Sequence, residues 1–451
     1  MKIFCLGGCE TVTGSKFLVE TQTTRILIDC GLYQGYKWLR RRNWQPQLFD
    51  IDKLDAIVLT HAHLDHSGFI PVLYKRGYRG PVITHSATKE LCAILLADSG
   101  HLQEEDANFY HKHQLSKHEK PEPLYDRPTG EASMALFQSV NYEETFEVGD
   151  IRLRLQNAGH ILGAASVILQ AEGKVIGFSG DVGRPDDILM RPPEPLPTLD
   201  MLFLESTYGN RRHDAGDPMA ALADVVNRTA QKGGTLLIPS FAVGRAQTLL
   251  HMLSQLMAEK RIPKLPTYLD SPMAIDVSDI YCRYAVEHKL NPDQCHAMCN
   301  VAVFTRTVDE SKMIAEKQGP MIIIAGSGMV TGGRILHHMK QRLSDHRTTI
   351  LFVGYQAGGT RGAKMLEGVE HVKIHGDWVA NRAEVEVIEG LSGHGDYVDI
   401  MAWLKRSALR QHTPIQLIHG DPDALEGMRD HLQQTTKYRV DIAGYQSIVT
   451  I

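Results

Sequence analysis

The sequence predicts an α/β protein of two domains, on three observations. The chain is 451 residues long, more than one ordinary hydrophobic core holds. Its first part is built from short alternating strands, and after "ESTYGNRRH" it changes to a helix–strand alternation. The last 80 or so residues return to the first style, so the second domain is expected as an insertion over 209–370, flanked by 1–208 and 371–451.

The elements follow in order. "MKIFCLGG", "SKFLVETQ", "RILIDCG" and "AIVLTHAH" read as strands closed by turns, and "RLRLQNAGH", "SVILQAEG", "KVIGFSGD" and "MLFLEST" continue the series. Short runs that are apolar or alternating, each bounded by turn residues, are the pattern of strands. "SATKELCAILLADSGHL" and "ASMALFQSV" carry helical spacing. In the insertion, "MAALADVVNRTAQ" and "AQTLLHMLSQLMAE" are amphipathic helices. Between and after them come the uniformly apolar runs "TLLIPS", "PTYLDS", "PMIIIAGSG" and "TTILFVGYQ". Short strands apolar on both faces, each followed by a glycine-bearing turn, indicate a parallel sheet covered by helices. "RAEVEVIEG", "YVDIMAWLKRSA" and "PIQLIHGD" are read as a strand, a helix and a strand of the returning domain. The polar stretch "HKHQLSKHEKPEPLYDRP" is an exposed connection.

Composition excludes some functions. Hydrophobic content of 43% and charged content of 22% are those of a soluble globular protein, and a formal charge of −5 excludes a generally basic nucleic-acid coat while leaving room for a local basic groove. No apolar run reaches the length of roughly 18 residues that a membrane span needs. The N-terminus lacks the apolar region and cleavage site of a signal peptide, so a cytoplasmic protein without membrane partners is expected. The seven cysteines are odd in number and scattered, which argues against a disulfide framework; "CHAMC" (Cys295, His296, Cys299) reads as buried or idle thiols.

The strongest chemical signal is "LTHAHLDHSG", where His61, His63, Asp65 and His66 directly follow the buried run "AIVL". One histidine is ordinarily a satisfied core residue, but four ligand-type side chains within six positions at a strand end indicate metal binding. Residues two apart on an extended end point the same way, so His61 and His63 can share one cation. Asp65 and His66, where the chain turns into a helix, can reach a second. Imidazoles and carboxylates without thiolate suit zinc, with manganese or iron as alternatives. His160 in "LQNAGHILG" and Asp181 in "GFSGDVG" also sit at strand ends among small residues, placed to complete the set.

His-Ala-His-Leu-Asp-His, then His160, then Asp181 resembles the metallo-β-lactamase superfamily pattern, with Asp29 of "LIDCG" matching its first acid, which supports the metal loop. The resemblance extends to the β-CASP nucleases, which include RNase J and the pre-mRNA 3′-end-processing endonuclease. Glu205 of "LFLESTYG", His394 of "LSGHGDY" and His419 of "LIHGD" match that family's motifs A, B and C. The implied fold is an αββα metallo-β-lactamase sandwich with an inserted parallel α/β β-CASP domain. The resemblance implies two zinc ions, one held by His61, His63 and His160, the other by Asp65, His66 and His419, with Asp181 between them. It further implies a phosphodiesterase acting on single-stranded RNA, since a histidine at motif C accompanies the RNA-acting members. In this reading Asp65 also orients the attacking hydroxide. His394 protonates the leaving 3′-oxygen, and Glu205 orients His394. The rival readings are a small ester or thioester hydrolase of the same superfamily, which needs no insertion, and an inactive RNA-binding subunit, which would have lost ligands. Endonuclease versus 5′-exonuclease action, and monomer versus homodimer, are left open.

Three glycine-bearing turns of the insertion carry candidate RNA contacts: Ser240 and Arg245 in "IPSFAVGRAQ", Ser327, Thr331 and Arg334 in "AGSGMVTGGR", and Arg361 and Lys364 in "GYQAGGTRGAK". In "KWLRRRNW", Lys37 and Arg40–Arg42 alternate with Trp38 and Trp44, as a stacking and phosphate-binding segment would. The tetrapeptide IHGD occurs twice. His419 falls in the motif series, whereas His375 of "VKIHGDWV" reads as a strand-to-strand turn residue.

Overall fold

The computed structural model describes residues 1–112, 121–213, 216–354, 356 and 358–451. Residues 113–120 of the connection expected at 111–128 therefore lie outside the described residues. The chain forms two compact units, Met1–Arg212 with His394–Ile451, and His213–Gly393.

The first unit opens with β1 (Lys2–Gly7), β2 (Lys16–Glu20), β3 (Arg25–Ile28), β4 (Ala56–Val58), β5 (Val82–His85) and β6 (Phe137–Val140). It continues with β7 (Thr145–Val148), β8 (Ile151–Asn157), β9 (Ala165–Ala171), β10 (Lys174–Phe178) and β11 (Met201–Glu205). The second unit supplies β12 (Thr235–Pro239), β13 (Thr267–Asp270), β14 (Val303–Phe304), β15 (Met321–Ala325), β16 (Thr349–Phe352), β17 (His371–Ile374), β18 (Asp377–Ala380) and β19 (Glu384–Val387). The first unit closes with β20 (Pro414–Ile418), β21 (Arg439–Ile442) and β22 (Ile448–Thr450).

Two mixed sheets build the first unit, ordered β22-β1-β2-β3-β4-β5-β6 and β21-β20-β11-β10-β9-β8-β7. Alternation along the strands decides which side chains they share. Phe17, Ile26, Ile28 and Val58 of one sheet meet Leu155, Val167, Phe178 and Phe203 of the other in one buried cluster. Phe178 and Phe203 stack with ring centroids 4.7 Å apart, and Phe17 tilts against both at 5.8 and 5.9 Å. Such aromatic pairs add about 0.5–1.5 kcal/mol each beyond their area burial. The alternate residues Leu202, Leu204, Ile415 and Leu417 face outward to Ile400, Trp403 and Leu404 of the helix Tyr397–Arg406 and to Leu425, Met428 and Leu432 of the helix Pro422–Thr435. On the first sheet the helix Ser86–Lys112 packs against β5 and β6. The layers are thus helix, sheet, sheet, helix.

The second unit carries an all-parallel six-stranded sheet, β14-β13-β15-β12-β16-β19, and the hairpin β17–β18. Two local readings are corrected here. "ASMALFQSV" is helical only at its start, because Phe137–Val140 is taken up as the edge strand β6, paired with β5. "RAEVEVIEG" is not a strand of the returning domain: β19 adds in parallel to β16, with Glu384 and Glu386 bound by Arg228, and the second unit accordingly runs to Gly393.

Candidate metal centre

Each side chain of the predicted cluster sits where a strand of the first unit ends. After β4, Leu59 still pairs with β5 (Leu59 N–H to Ile83 O, 2.9 Å), then the Thr60 N–H donates to Asp29 Oδ1 at 2.8 Å and the chain turns. His61 is fully buried there, and His63 caps the short helix Leu64–Ser67 that carries Asp65 and His66. His160 lies in the turn after β8, which is closed by the Ala158 N–H to Ala164 O bond at 2.9 Å. Asp181 follows β10 through Gly180, whose φ of +57° suits glycine. Gly183 brings the two turns together: its N–H donates to Ala158 O at 2.8 Å, and a Cβ there would stand 1.9 Å from Gly159 O. Glu205 ends β11. His419 follows β20 with φ +49°, its N–H on Gly8 O at 2.7 Å.

The side-chain atoms converge as two trios around one carboxylate. His63 Nδ1 lies 3.1 Å from His61 Nε2 and 3.2 Å from His160 Nε2. Asp181 Oδ2 faces this trio, 3.4 Å from His61 Nε2 and 3.6 Å from His160 Nε2. On the other side His66 Nε2 lies 3.2 Å from His419 Nε2, which is 3.5 Å from Asp65 Oδ2. Asp181 Oδ1 faces this second trio, 3.3 Å from His66 Nε2 and 3.4 Å from His419 Nδ1. Imidazole nitrogens at such mutual distances have too few protons to satisfy one another, and Asp181 Oδ1 is buried with no hydrogen-bond donor. The donor set therefore fits cations: His61, His63, His160 and Asp181 in one group, Asp65, His66 and His419 in another.

The two trios differ in their electrostatics. Burial, reinforced by the charge of neighbouring imidazoles, holds His61 and His63 well below the usual histidine range, leaving neutral rings with free lone pairs. Burial also opposes charge on His66, but the carboxylates of Asp181, Asp29 and Asp65 outweigh it and raise that ring well above its usual range. Asp65 is held at about 2 against the cost of its burial by His66 and His419.

A third group joins Asp181 to Glu205 and His394. His394 Nδ1 lies 3.2 Å from Glu205 Oε1, and its Nε2 points toward Asp181 Oδ2 at 3.9 Å. Burial pulls the ring down, yet the charges of Glu205 and Asp181 raise it to about 9. Glu205 is itself fixed by the Val182 N–H at 2.6 Å and the Thr207 hydroxyl at 2.6 Å.

Threonines and a serine that sequence reasoning passed over complete the surroundings. Thr60 Oγ1 donates to Asp29 Oδ2 at 3.1 Å and lies 3.1 Å from His61 Nδ1; Thr207 Oγ1 lies 3.1 Å from His419 Nδ1. Ser15 Oγ donates to Asp29 Oδ2 at 3.2 Å. Thr60 and Thr207 each stand within two residues of a motif residue, which is the only signal the sequence offers for them.

The candidate RNA contacts of the three glycine-bearing turns lie in the second unit, on loops and helix starts after β12, β15 and β16. Ser240 is buried, with its hydroxyl on Phe241 O, and Arg245 opens the helix Arg245–Ala258. Ser327 and Thr331 share a hydroxyl contact at 3.0 Å. Arg334 is bound to Asp270 Oδ1 at 2.6 Å and to the carbonyls of Thr305 and Arg306. Arg361 clamps the carbonyls of Lys373, Val330 and Thr331, and Lys364 lies on the helix Arg361–Leu366. His375 sits in the two-residue turn between β17 and β18 of the second unit with Gly376, both at positive φ, and belongs to none of the candidate metal groups among the described residues.

Residues 12–215 match the metallo-beta-lactamase superfamily, 246–365 the Beta-Casp domain, and 378–443 the Zn-dependent metallo-hydrolase RNA specificity domain. Ribonuclease TTHA0252 of Thermus thermophilus is 37% identical over 435 residues, covering 94% of each chain. The transcription termination factors FttA of Methanosarcina mazei and Methanocaldococcus jannaschii are 30% and 31% identical, over 94% and 97% of this chain and 67% and 69% of theirs. A crystal structure of a protein of unknown function from Enterococcus faecalis V583 superimposes over 100% of this chain and 99% of its own, with a TM-score of 0.53 at 12% identity, which shows a shared fold. With the three family models matched in order and a relative 37% identical along 94% of each chain, the chain belongs to the β-CASP family of metal-dependent RNA nucleases within the metallo-β-lactamase superfamily.

Proposed function

We propose that the chain is a two-zinc phosphodiesterase that hydrolyses single-stranded RNA in the cytoplasm, as an endonuclease, a 5′-exonuclease or both. The observation that carries the reading is Asp181, with one oxygen facing each trio and one of them left without a donor. His61, His63 and His160 would hold one cation, Asp65, His66 and His419 the other, and Asp181 would serve both. When bound, the cations supply Lewis-acid polarisation of the phosphodiester and bring the pKa of water down toward neutrality.

The chain's own residues do the rest. Asp29 accepts from His66 Nδ1 at 2.6 Å, which turns Nε2 toward the site. Asp65, ionised at neutral pH, is placed to orient the attacking hydroxide. His394 keeps its proton at neutral pH because Glu205 and Asp181 face it. Its Nδ1–H rests on Glu205, leaving the Nε2–H to protonate the departing 3′-oxygen. Displacement by water then gives a 5′-phosphate and a 3′-hydroxyl. Support for RNA as substrate comes from the relative named as a ribonuclease, which matches along nearly its whole length, and from the histidine at position 419.

The test is cleavage of one labelled single-stranded RNA carrying either a 5′-triphosphate or a 5′-monophosphate, with zinc or manganese added and products mapped. Internal fragments indicate an endonuclease. Mononucleotides dependent on the 5′ end indicate an exonuclease. Inert RNA beside robust thioester hydrolysis overturns the reading.

A further inference from the structure

The segment 36–44 of the first unit has no part in the metal centre, yet it is built as a rigid, exposed platform. Tyr36, Trp38 and Trp44 are 50%, 55% and 58% exposed, unusual for rings of this size on a water-facing surface. They are not loose. Leu39 of the helix Lys37–Arg42 is buried beneath them, and Asn43 clamps the preceding loop by accepting from the Tyr33 N–H at 2.9 Å and donating to Tyr33 O at 2.8 Å. The Arg42 guanidinium lies 5.0 Å from the Trp38 ring centroid and 3.9 Å from that of Tyr445, backing one face of the tryptophan and leaving the rest open.

Charge points to the occupant. Some exposed arginines of this unit are neutralised, as in Arg127–Glu131 and Arg152–Glu147. Lys37, Arg40 and Arg41 are exposed on the helix that carries Trp38, and no carboxylate among the described residues pairs with them. A second copy of the chain is a poor fit, because a twofold contact sets the same patch against itself and would oppose three uncompensated cations with three more. Open rings interleaved with unpaired cations suit a flexible polyanion whose bases stack.

Location ties the platform to the reaction. The loop leading to it leaves from Gly31, which is so close to the metal loop that a Cβ there would stand 1.5 Å from Asp65 O. Tyr36 follows five residues later, so at about 3.3–3.6 Å per residue it lies within roughly 20 Å of that contact. One strand of the length that stacking grooves accept, about 4–16 nucleotides, spans that distance.

We propose that Tyr36, Trp38 and Trp44, with Lys37, Arg40 and Arg41, form a stacking platform that holds single-stranded RNA outside the metal centre. This rests on the ribonuclease reading for its substrate. It adds a binding surface that contributes affinity and not chemistry.

The experiment measures binding of a labelled phosphorothioate RNA of about sixteen nucleotides, which keeps the backbone charge and resists hydrolysis, to the metal-loaded protein by fluorescence anisotropy. Hydrolysis of bis(p-nitrophenyl) phosphate serves as a control that reaches only the metal centre. Trp38→Ala with Trp44→Ala should weaken binding about tenfold or more, with Trp38→Phe recovering part of it and the small ester hydrolysed at the wild-type rate. Replacing Lys37, Arg40 and Arg41 by Gln should flatten the slope of log K against log salt by about 2, at about 0.7 per phosphate contact for a single strand. Unchanged RNA affinity in the double tryptophan variant overturns the proposal. So does a change confined to self-association in sedimentation. A wild-type protein that binds RNA through the rings but never cuts it would sink the ribonuclease reading alone, and RNA cleavage with ring-independent binding would sink the platform alone.

Discussion

Asp29 Oδ2 and His66 Nδ1 lie 2.6 Å apart, both buried, and this contact decides which nitrogen of His66 faces Asp181 and His419. Thr60 and Ser15 hold the carboxylate in place from two other directions. A carboxylate behind a ligating imidazole typically raises metal affinity 10–100-fold. Asp29→Ala should therefore weaken one cation of the two by about that factor while the other is retained. Chelator competition followed by metal analysis checks this, and two equally weakened sites would mean that Asp29 supports the whole loop and not His66.

His394→Ala should keep its full metal content and lose turnover about 10²–10⁴-fold, the usual contribution of a positioned general acid. Glu205→Gln should lower turnover through the same ring, since Glu205 Oε1 is the partner of His394 Nδ1. Metal analysis beside single-turnover rates separates the roles. A His394→Ala protein that has lost a cation would make His394 a ligand.

The two IHGD copies give a paired prediction. His375 and His419 share φ +49° and a position at a strand end, so their local structures match. Their surroundings do not. His419 Nε2 lies 3.2 Å from His66 Nε2, whereas the His375 ring of the second unit tilts against that of His337, with centroids 4.5 Å apart. His375→Ala should leave two cations bound and His419→Ala should leave one, read by metal analysis after extensive dialysis.

That pair also shows what a sequence can convey. The tetrapeptide specifies a turn, and it did so correctly in both places; which histidine meets the cluster depends on pairings such as β11 with β20, Glu205 opposite Ile418, across more than two hundred residues. Strand ends were legible because alternation and glycine turns are local, as was the ligand cluster around His61. Partners such as Thr60 and Thr207 were not, since a threonine beside a motif residue is chemically ordinary until the fold aims its hydroxyl. β19 was misplaced for a related reason: "EVEV" reads as a half-exposed strand, but its glutamates are bound by Arg228 of a helix far away in sequence. Arg334 and Arg361 looked available for phosphate, and the fold uses both guanidiniums on internal acceptors.

Lys16 makes stability pH-dependent in an unusual direction. It is buried behind the metal loop, bonded to Gly31 O, and lies over the Phe69 ring at 4.7 Å. Burial lowers its pKa to about 8, against the opposing pull of Cys30 and Asp29. Between that value and the unfolded value near 10.4 the unfolded chain binds the extra proton, so stability from this group rises as pH increases through 8. The charged form is the penalised one, and the penalty is full below pH 8. Lys16→Met should remove this rise: the stability difference between wild type and variant, followed by denaturant unfolding from pH 7 to 9, should shift in favour of the wild type. A flat difference would mean the lysine keeps an ordinary pKa.

Gly183 offers the sharpest test of how the site is assembled. A Cβ there would stand 1.9 Å from Gly159 O, 2.2 Å from Gly159 C and 2.8 Å from His160 N, all backbone atoms that no side-chain rotation can move. Gly183→Ala must push the His160 turn away from the Asp181 turn, which the Gly183 N–H to Ala158 O bond otherwise holds together. The strain should cost about 1–3 kcal/mol of stability. The larger effect should be on metal binding, because His160 Nε2 and Asp181 Oδ2 are only 3.6 Å apart and belong to one group that could hold a cation. A bound ion that prefers the folded state stabilises it in proportion to the logarithm of its concentration over Kd. Thermal melts with and without zinc should therefore show a large zinc-dependent shift in the wild type and a much smaller one in Gly183→Ala. Gly332→Ala, where a Cβ meets nothing within 4 Å, should match the wild type in both. A Gly183→Ala protein that melts lower but keeps the full zinc shift would show that the two turns can separate without disturbing the ligands.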